Sequence, residues 1–179
     1  MHDKWMRTKQ WVRLLFKQLR RPFVQAGEVC VEATLRATHF GPGGEVIKDY
    51  GIVSTRAVTD AFVEFVVDNL QTETAEFGDF KYHDSGTGGA TSELASQTDL
   101  VTKVETGRAT GTQAEGSSAN IYQTVGTISY TATRAIDEHA VFSQSSGGTM
   151  MDRSVFTDIN VDNGDSIQFT YELTLPSGG

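Results

Sequence analysis

Cysteine and proline are nearly absent from this sequence of 179 residues, which has one Cys and three Pro. A single cysteine, Cys30, excludes an internal disulfide framework, favours a reducing compartment and is interpreted as structural. The 18 Gly indicate many tight turns. No apolar run approaches the roughly 20 residues that a membrane-spanning helix needs. The stretch Leu14-Leu15-Phe16 is too short for the apolar region of a secretory signal. Neither a membrane-spanning helix nor a secretory signal is therefore expected. The length suits one domain with a substantial core.

Basic residues are scarce outside the N-terminus. The formal net charge is −8, but residues 1–22 hold seven basic residues against one acid, Asp3, which gives a local charge of +6. The rest of the chain holds eight basic and 22 acidic residues, a charge of −14. We interpret this asymmetry as a cationic arm on an acidic body. The acidity of the body argues against nucleic acid as a partner.

The N-terminal segment has helical periodicity and predicts an amphipathic helix over residues 4–20, ended by Pro22. Such a helix is marginal alone in water. We expect it to dock on its own acidic body or in a groove of a partner protein, ahead of a membrane surface or nucleic-acid phosphates. The candidate partner-binding residues are its aromatic, apolar and basic positions: Trp5, Arg7, Trp11, Arg13, Leu15, Phe16, Lys17 and Arg20.

From Val29 the hydrophobic period changes to two, which predicts a half-buried strand as far as Ala37. A turn at 41–44 and a returning strand over 46–53 complete a predicted hairpin. Residues 58–70 return to helical spacing. Thr59 and Asp60 suit the start of a helix, by capping and by the helix dipole. This is expected to be the only helix of the body.

The remaining chain is rich in turns and strands. It predicts strands over 80–82, 101–108, 121–132, 135–142 and 150–161, separated by Gly/Ser/Thr loops at 84–92 and 111–118. Asn163-Gly164, between two alternating stretches, predicts a type I′ hairpin. The predicted fold class is therefore mainly β: an antiparallel β-sandwich or barrel-like domain with one internal helix and an N-terminal amphipathic helix. The predicted boundaries are 1–27 for the arm and 28–179 for the β-rich domain.

Candidate chemistry is sparse. The run His83-Asp84-Ser85 contains the three residue types of a hydrolase triad, but neighbours on a strand point to opposite faces and cannot form its geometry. The sequence GTGG at 86–89 lacks the Lys and Ser/Thr that complete a phosphate-binding loop. The pair Asp137-Glu138 is interpreted as solvated surface. We therefore predict no catalytic residue and no cofactor.

Metal-binding patterns are also incomplete. None of the four histidines has the spacing of a metal site. The residues Asp158, Asn160 and Asp162 have the spacing of a calcium loop. Asn163, however, stands where that loop requires Gly, and Phe169 stands where it requires Glu. The predicted hairpin turn explains the same residues, so no metal is predicted.

Three segments resemble small β-rich virion proteins of tailed bacteriophages, some of which are capsid cement or decoration proteins. They are GIVSTRAVTDAFVEFVVDNL (51–70), HDSGTGGATSELASQTDL (83–100) and HAVFSQSSGGTMMDRSVFTDINVDNGDSIQFTYELTL (139–175). The resemblance implies a structural protein without an active site, located in the virion and assembled in the host cytoplasm. It implies the major capsid protein or other virion proteins as partners, and a homo-oligomer such as a trimer. It does not cover residues 1–28.

Three hypotheses follow from the sequence. The first is a virion protein that cements or decorates the capsid, or occupies the neck, tail or baseplate. It would use the helix and the two Gly/Ser/Thr loops as contact elements. The second is a β-sandwich that binds carbohydrate or a cell surface. The third is a hydrolase that uses His83 or His139.

Overall fold

The computed structural model describes residues 31–56, 58–71, 80–104 and 107–175. These residues belong to one compact unit spanning Cys30–Pro176. The helix predicted over 4–20 and all eight candidate partner-binding residues lie outside the described residues.

The described chain forms two antiparallel sheets and one helix, an arrangement compatible with a β-sandwich. The five-stranded sheet has the order β2-β1-β9-β6-β5, and the four-stranded sheet has the order β4-β3-β7-β8. In chain order the elements are β1 Glu32–Phe40, β2 Val46–Arg56, α1 Asp60–Gln71, β3 Tyr82–Gly86, β4 Ala109–Thr110, β5 Thr112–Glu115, β6 Ile121–Ser129, β7 Arg134–Phe142, β8 Met150–Val161 and β9 Ser166–Thr174.

Alternating apolar residues of both sheets make one core. Leu35 of β1 and Phe169 of β9 belong to the same buried cluster as Ile136 of β7 and Ile159 of β8. Their alternation with half-buried or exposed residues confirms the period-two interpretation of β1 and of β9. The hairpin predicted at 41–44 is also confirmed, because β1 and β2 pair antiparallel across that turn.

The predicted internal helix is confirmed as α1, the only helix among the described residues. Thr59 caps it, since the hydroxyl of Thr59 accepts a hydrogen bond from the Phe62 amide at 3.2 Å. Phe62 is buried in the core, and the ring of Phe80 meets it edge to face. No helix among the described residues is long and apolar enough to cross a membrane.

The type I′ hairpin predicted at Asn163-Gly164 is wrong. The turn exists, with a hydrogen bond from the Asp165 amide to the Asp162 carbonyl. However, β8 belongs to the four-stranded sheet and β9 to the five-stranded sheet, so the chain crosses between sheets. Of the two central residues of this turn, Asn163 and Gly164, only Gly164 has a positive φ, whereas a type I′ turn needs both. The amide of Gly164 instead donates to the carbonyl of Tyr130, which anchors the crossing.

Three further boundaries differ from the prediction. The strand predicted over 80–82 is β3, which spans Tyr82–Gly86, so the loop predicted from residue 84 begins only after residue 86. The segment 111–118 is not wholly a loop, because β5 runs through it and pairs with β6. Residues 101–104 do not form a strand beyond an isolated bridge between Lys103 and Gly86. The 101–104 segment is held by contacts distant in sequence, to Gly86 and Glu138, which local composition does not encode.

Candidate functional site

The run His83-Asp84-Ser85 lies in β3 and is buried, but it does not form a triad. The hydroxyl of Ser85 lies 3.0 Å from the Tyr130 hydroxyl. Nδ1 of His83 lies 3.0 Å from Nε2 of His139 on β7. Asp84 points to the other face, where its carboxylate is 3.8 Å from Arg108. The alternation of side chains along β3 thus separates Asp84 from His83 and Ser85, so the run forms no triad, as predicted from the sequence.

The two imidazoles form a neutral pair inside the protein. Nε2 of His83 lies 3.1 Å from the Thr124 hydroxyl of β6, so the pair bridges the two sheets. Burial lowers the pKa of His83 to about 3. Burial, and then the neighbouring His83, also hold the pKa of His139 well below its usual value. Both rings are therefore neutral near pH 7, and one donates to the other.

The imidazole pair fills space that glycine leaves open. A Cβ at Gly126 would collide with the ring of His83, and a Cβ at Gly111 would come within 2.8 Å of its Nε2. On the other side His139 packs against Phe169, with 4.3 Å between ring centroids. Nδ1 of His139 finds no hydrogen-bond partner among the described residues. A proton added there would be a buried donor without an acceptor, which is costly.

The opposite face of β7 carries a buried ion pair. Glu138 and Arg153 are 0% and 3% exposed, and Oε2 of Glu138 lies 2.7 Å from Nη2 of Arg153. The carboxylate also accepts hydrogen bonds from the amides of Gly88, Val101 and Thr102. Full hydrogen bonding is what allows a buried charge pair to be tolerated. The interpretation of Asp137-Glu138 as solvated surface was therefore wrong for Glu138.

These contacts pin residues 87–104, here called the pinned loop. Arg153 donates to the carbonyls of Gly88 and Thr91 and to the side chain of Gln97. Asp137 accepts from the Gly89 amide. Leu100 of the loop packs in a small buried cluster on the outer side of the four-stranded sheet. A segment of turn-rich sequence is thereby fixed at several points, while Leu94 stays 60% exposed.

The edge strand β8 of the four-stranded sheet and the edge strand β2 of the five-stranded sheet differ in how they are covered. The backbone carbonyl of Met151 in β8 accepts from the Thr59 amide, and the amide of Val155 donates to Glu93, so neighbouring segments cover this edge. The edge strand β2 instead has three register irregularities against β1. Bulges of this kind discourage the addition of a further strand. Val46, Ile47 and Ile52 of β2 are all more than half exposed.

Of the three residues of the candidate calcium pattern, Asp162 serves the turn between β8 and β9, while Asp158 and Asn160 are exposed positions of β8. The Asp162 carboxylate accepts from Thr133, and the Asp162 amide donates to the Asp165 carboxylate. That carboxylate also lies 2.7 Å from Nε2 of His39. Among the described residues no group of three or more His, Cys, Asp or Glu side chains could hold a metal ion.

Comparisons with protein-family models, with curated proteins and with solved structures returned no match.

Sequence reasoning missed the Glu138–Arg153 pair and the histidine pair. Glu138 follows a register irregularity of β7 that the sequence does not mark, and Arg153 stands 15 positions later with no pattern that links the two residues. The one usable signal was the placement of Gly126 inside a strand, which indicates a close approach of another group.

Proposed function

We propose that this chain is a structural protein of the virion of tailed bacteriophages, and that it cements or decorates the capsid by binding major capsid subunits. The observation that carries the proposal is the pinned loop. It holds an exposed apolar residue on a rigid β scaffold through a buried ion pair. The proposal assigns no catalytic residue, cofactor or metal. Its other support is the resemblance of three segments to such virion proteins.

A pinned loop suits binding to a fixed lattice. Ordering a flexible loop on binding costs conformational entropy, and a loop that is already held avoids most of that cost. A second contact through the cationic arm, 1–27, would then act at a high effective concentration. The eight arm residues from Trp5 to Arg20 remain the predicted second contact, and Leu94 is the predicted contact of the loop.

The first test is the composition of the particle. Virions of the phage that encodes this chain are purified on a density gradient and analysed by mass spectrometry, with immunogold electron microscopy to locate the chain. We expect it on the head, in a fixed ratio to the capsid subunit. Label on the neck, tail or baseplate would replace the capsid assignment by that location. Absence from the particle would overturn the proposal, and a glycan array would then test the carbohydrate-binding alternative.

The second test addresses the contact residues. Heads that lack the chain are mixed with the purified full-length protein, and bound protein is measured after sedimentation. We expect Leu94→Asp to weaken binding at least tenfold. Val63→Asp is the matched control, because Val63 is also an exposed apolar residue, at 51%, but lies on α1. Equal binding by both variants would remove the pinned loop from the interface.

A further inference from the structure

The outer face of the five-stranded sheet is unusual for so acidic a body. The cross-strand register places 14 described side chains of β1, β9 and β6 on this face, and none of them is buried. Seven of the 14 are Thr or Ser, and only two are charged, Arg36 and Glu172. Soluble surfaces usually carry about 25–35% charged residues. Depletion of charge is typical of the centre of a protein interface.

The two charges of this face are opposite and adjacent. Arg36 lies on β1 opposite Thr170, and Glu172 lies on the neighbouring β9 opposite Thr34, one step along the strands. Arg36 is exposed and forms no ion pair with any described side chain. Glu172 accepts only a neutral hydrogen bond, from Gln123 at 2.8 Å. Each charge is therefore available to an opposite charge from outside.

We propose that this face binds a second copy of the same chain, in a two-fold dimer in which Arg36 of each copy meets Glu172 of the other. A two-fold axis between the sheets, crossing the line from Arg36 to Glu172 at its midpoint, creates both contacts at once. This reciprocity is what an isologous interface requires. Elsewhere the two acidic bodies repel each other, so the face with few charges is the surface on which two copies can approach.

The dimensions of the face indicate how strong the dimer is. The three strands that carry this face, each of nine residues at about 3.4 Å per residue and spaced about 4.8 Å apart, give about 400–450 Å² per copy. Stable complexes bury about 800 Å² per partner, so we expect a weak dimer with a Kd in the micromolar range. The diagonal placement of the two charges makes the strands of the two copies cross at about 70°.

Sedimentation velocity of the full-length protein over a wide concentration range tests this dimer. Arg36→Glu alone and Glu172→Arg alone should each shift the monomer–dimer midpoint at least tenfold upward, because like charges then face each other. The double variant, Arg36→Glu with Glu172→Arg, should restore association. Asp158→Arg, an exposed change on β8 in the other sheet, should not weaken association. Far-UV circular dichroism checks that each variant is folded.

A protein that stays monomeric throughout would overturn the proposal, as would single variants that associate like the wild type or a double variant that fails to recover. Should Glu172→Arg not fold, Thr127→Arg places a charge at an exposed position of the same face and should abolish the dimer. The dimer does not depend on the proposed capsid role. Self-association is measured without capsids, and particle composition without these variants, so either proposal can fail alone.

Discussion

Glu138 and His139 are neighbours on β7, and both are 0% exposed, but they are buried by opposite means. Glu138 faces outward under the pinned loop and is matched by Arg153 and by three backbone amides. His139 faces the layer between the sheets and is matched by one neutral imidazole. A buried charge needs a countercharge and hydrogen bonds, whereas an imidazole can be buried neutral. The neutral imidazole pair is therefore destabilised in acid, because the unfolded imidazoles gain protons that the folded ones do not.

The largest effect is expected from removing the countercharge of the buried Glu138–Arg153 ion pair. Arg153→Met leaves the Glu138 carboxylate buried without a countercharge, which should cost about 3–5 kcal/mol of unfolding free energy. Urea unfolding followed by circular dichroism measures the loss. Arg134→Met removes a half-buried arginine near the start of β7 and should cost far less. A loss below about 1 kcal/mol for Arg153→Met would mean that the ion pair does not hold the loop.

The stability that depends on the neutral pair of His83 and His139 should change with pH. Folding holds the pKa of His83 at about 3 and that of His139 well below 6.5, so the unfolded chain binds more protons below pH 6.5. The contribution of the two histidines to the free energy of unfolding is therefore present above pH 6.5 and is lost progressively as the pH falls below it. From pH 7 to 5 the ring of His83 should cost about 2 kcal/mol, and the ring of His139 adds to this loss in the same direction.

The test of this pH effect is a comparison of slopes. Urea unfolding between pH 5 and 7 should show a clearly smaller slope in the double variant His83→Gln with His139→Gln. Burial raises the pKa of Asp84, which acts in the opposite direction, so the difference between the two proteins is the quantity to read. Parallel slopes would mean that the pair is hydrated or opens readily.

Glycine substitutions compare how tightly the ring of His83 and the carboxylate of Glu138 are packed. Gly126→Ala pushes a Cβ into the ring of His83, and Gly88→Ala brings a Cβ within 2.5 Å of Oε1 of Glu138. Overpacking of this kind costs about 1–3 kcal/mol, and we expect Gly126→Ala to be the worse because the pinned loop can shift more easily than the core. Gly107→Ala, where a Cβ would meet nothing within 4 Å, is the control in thermal unfolding. If Gly88→Ala is instead the more destabilising of the two, the pinned loop yields less than the core around His83.

The smallest effect should come from removing one hydroxyl. Thr124→Val deletes the partner of Nε2 of His83 and should cost about 1 kcal/mol. Thr127→Val on the same strand is exposed and should leave the urea midpoint nearly unchanged. Equal midpoints for the two variants would show that the hydroxyl of Thr124 contributes nothing to the bridge between the sheets.

Local sequence was sufficient for the elements with strong periodicity. The alternation in β1 and β9, the cap at Thr59 and the turn at 41–44 were all predicted, because each depends on residues close in the chain. The crossing at Gly164 was not predicted. A turn motif indicates which backbone angles the turn can adopt. Whether β8 and β9 then pair with each other or the chain crosses to the other sheet depends on which sheet each strand joins.

The sequence by itself thus determined the class of the fold, the position of α1 and the asymmetry of charge between residues 1–22 and the rest. Only the tertiary structure decided the two sheets, the neutral pair of His83 and His139, and the buried pair of Glu138 and Arg153. The physical reason is that patterning records which residues avoid water, one element at a time. The partner that makes a buried imidazole or carboxylate tolerable comes from another strand, and its identity is fixed when the strands assemble.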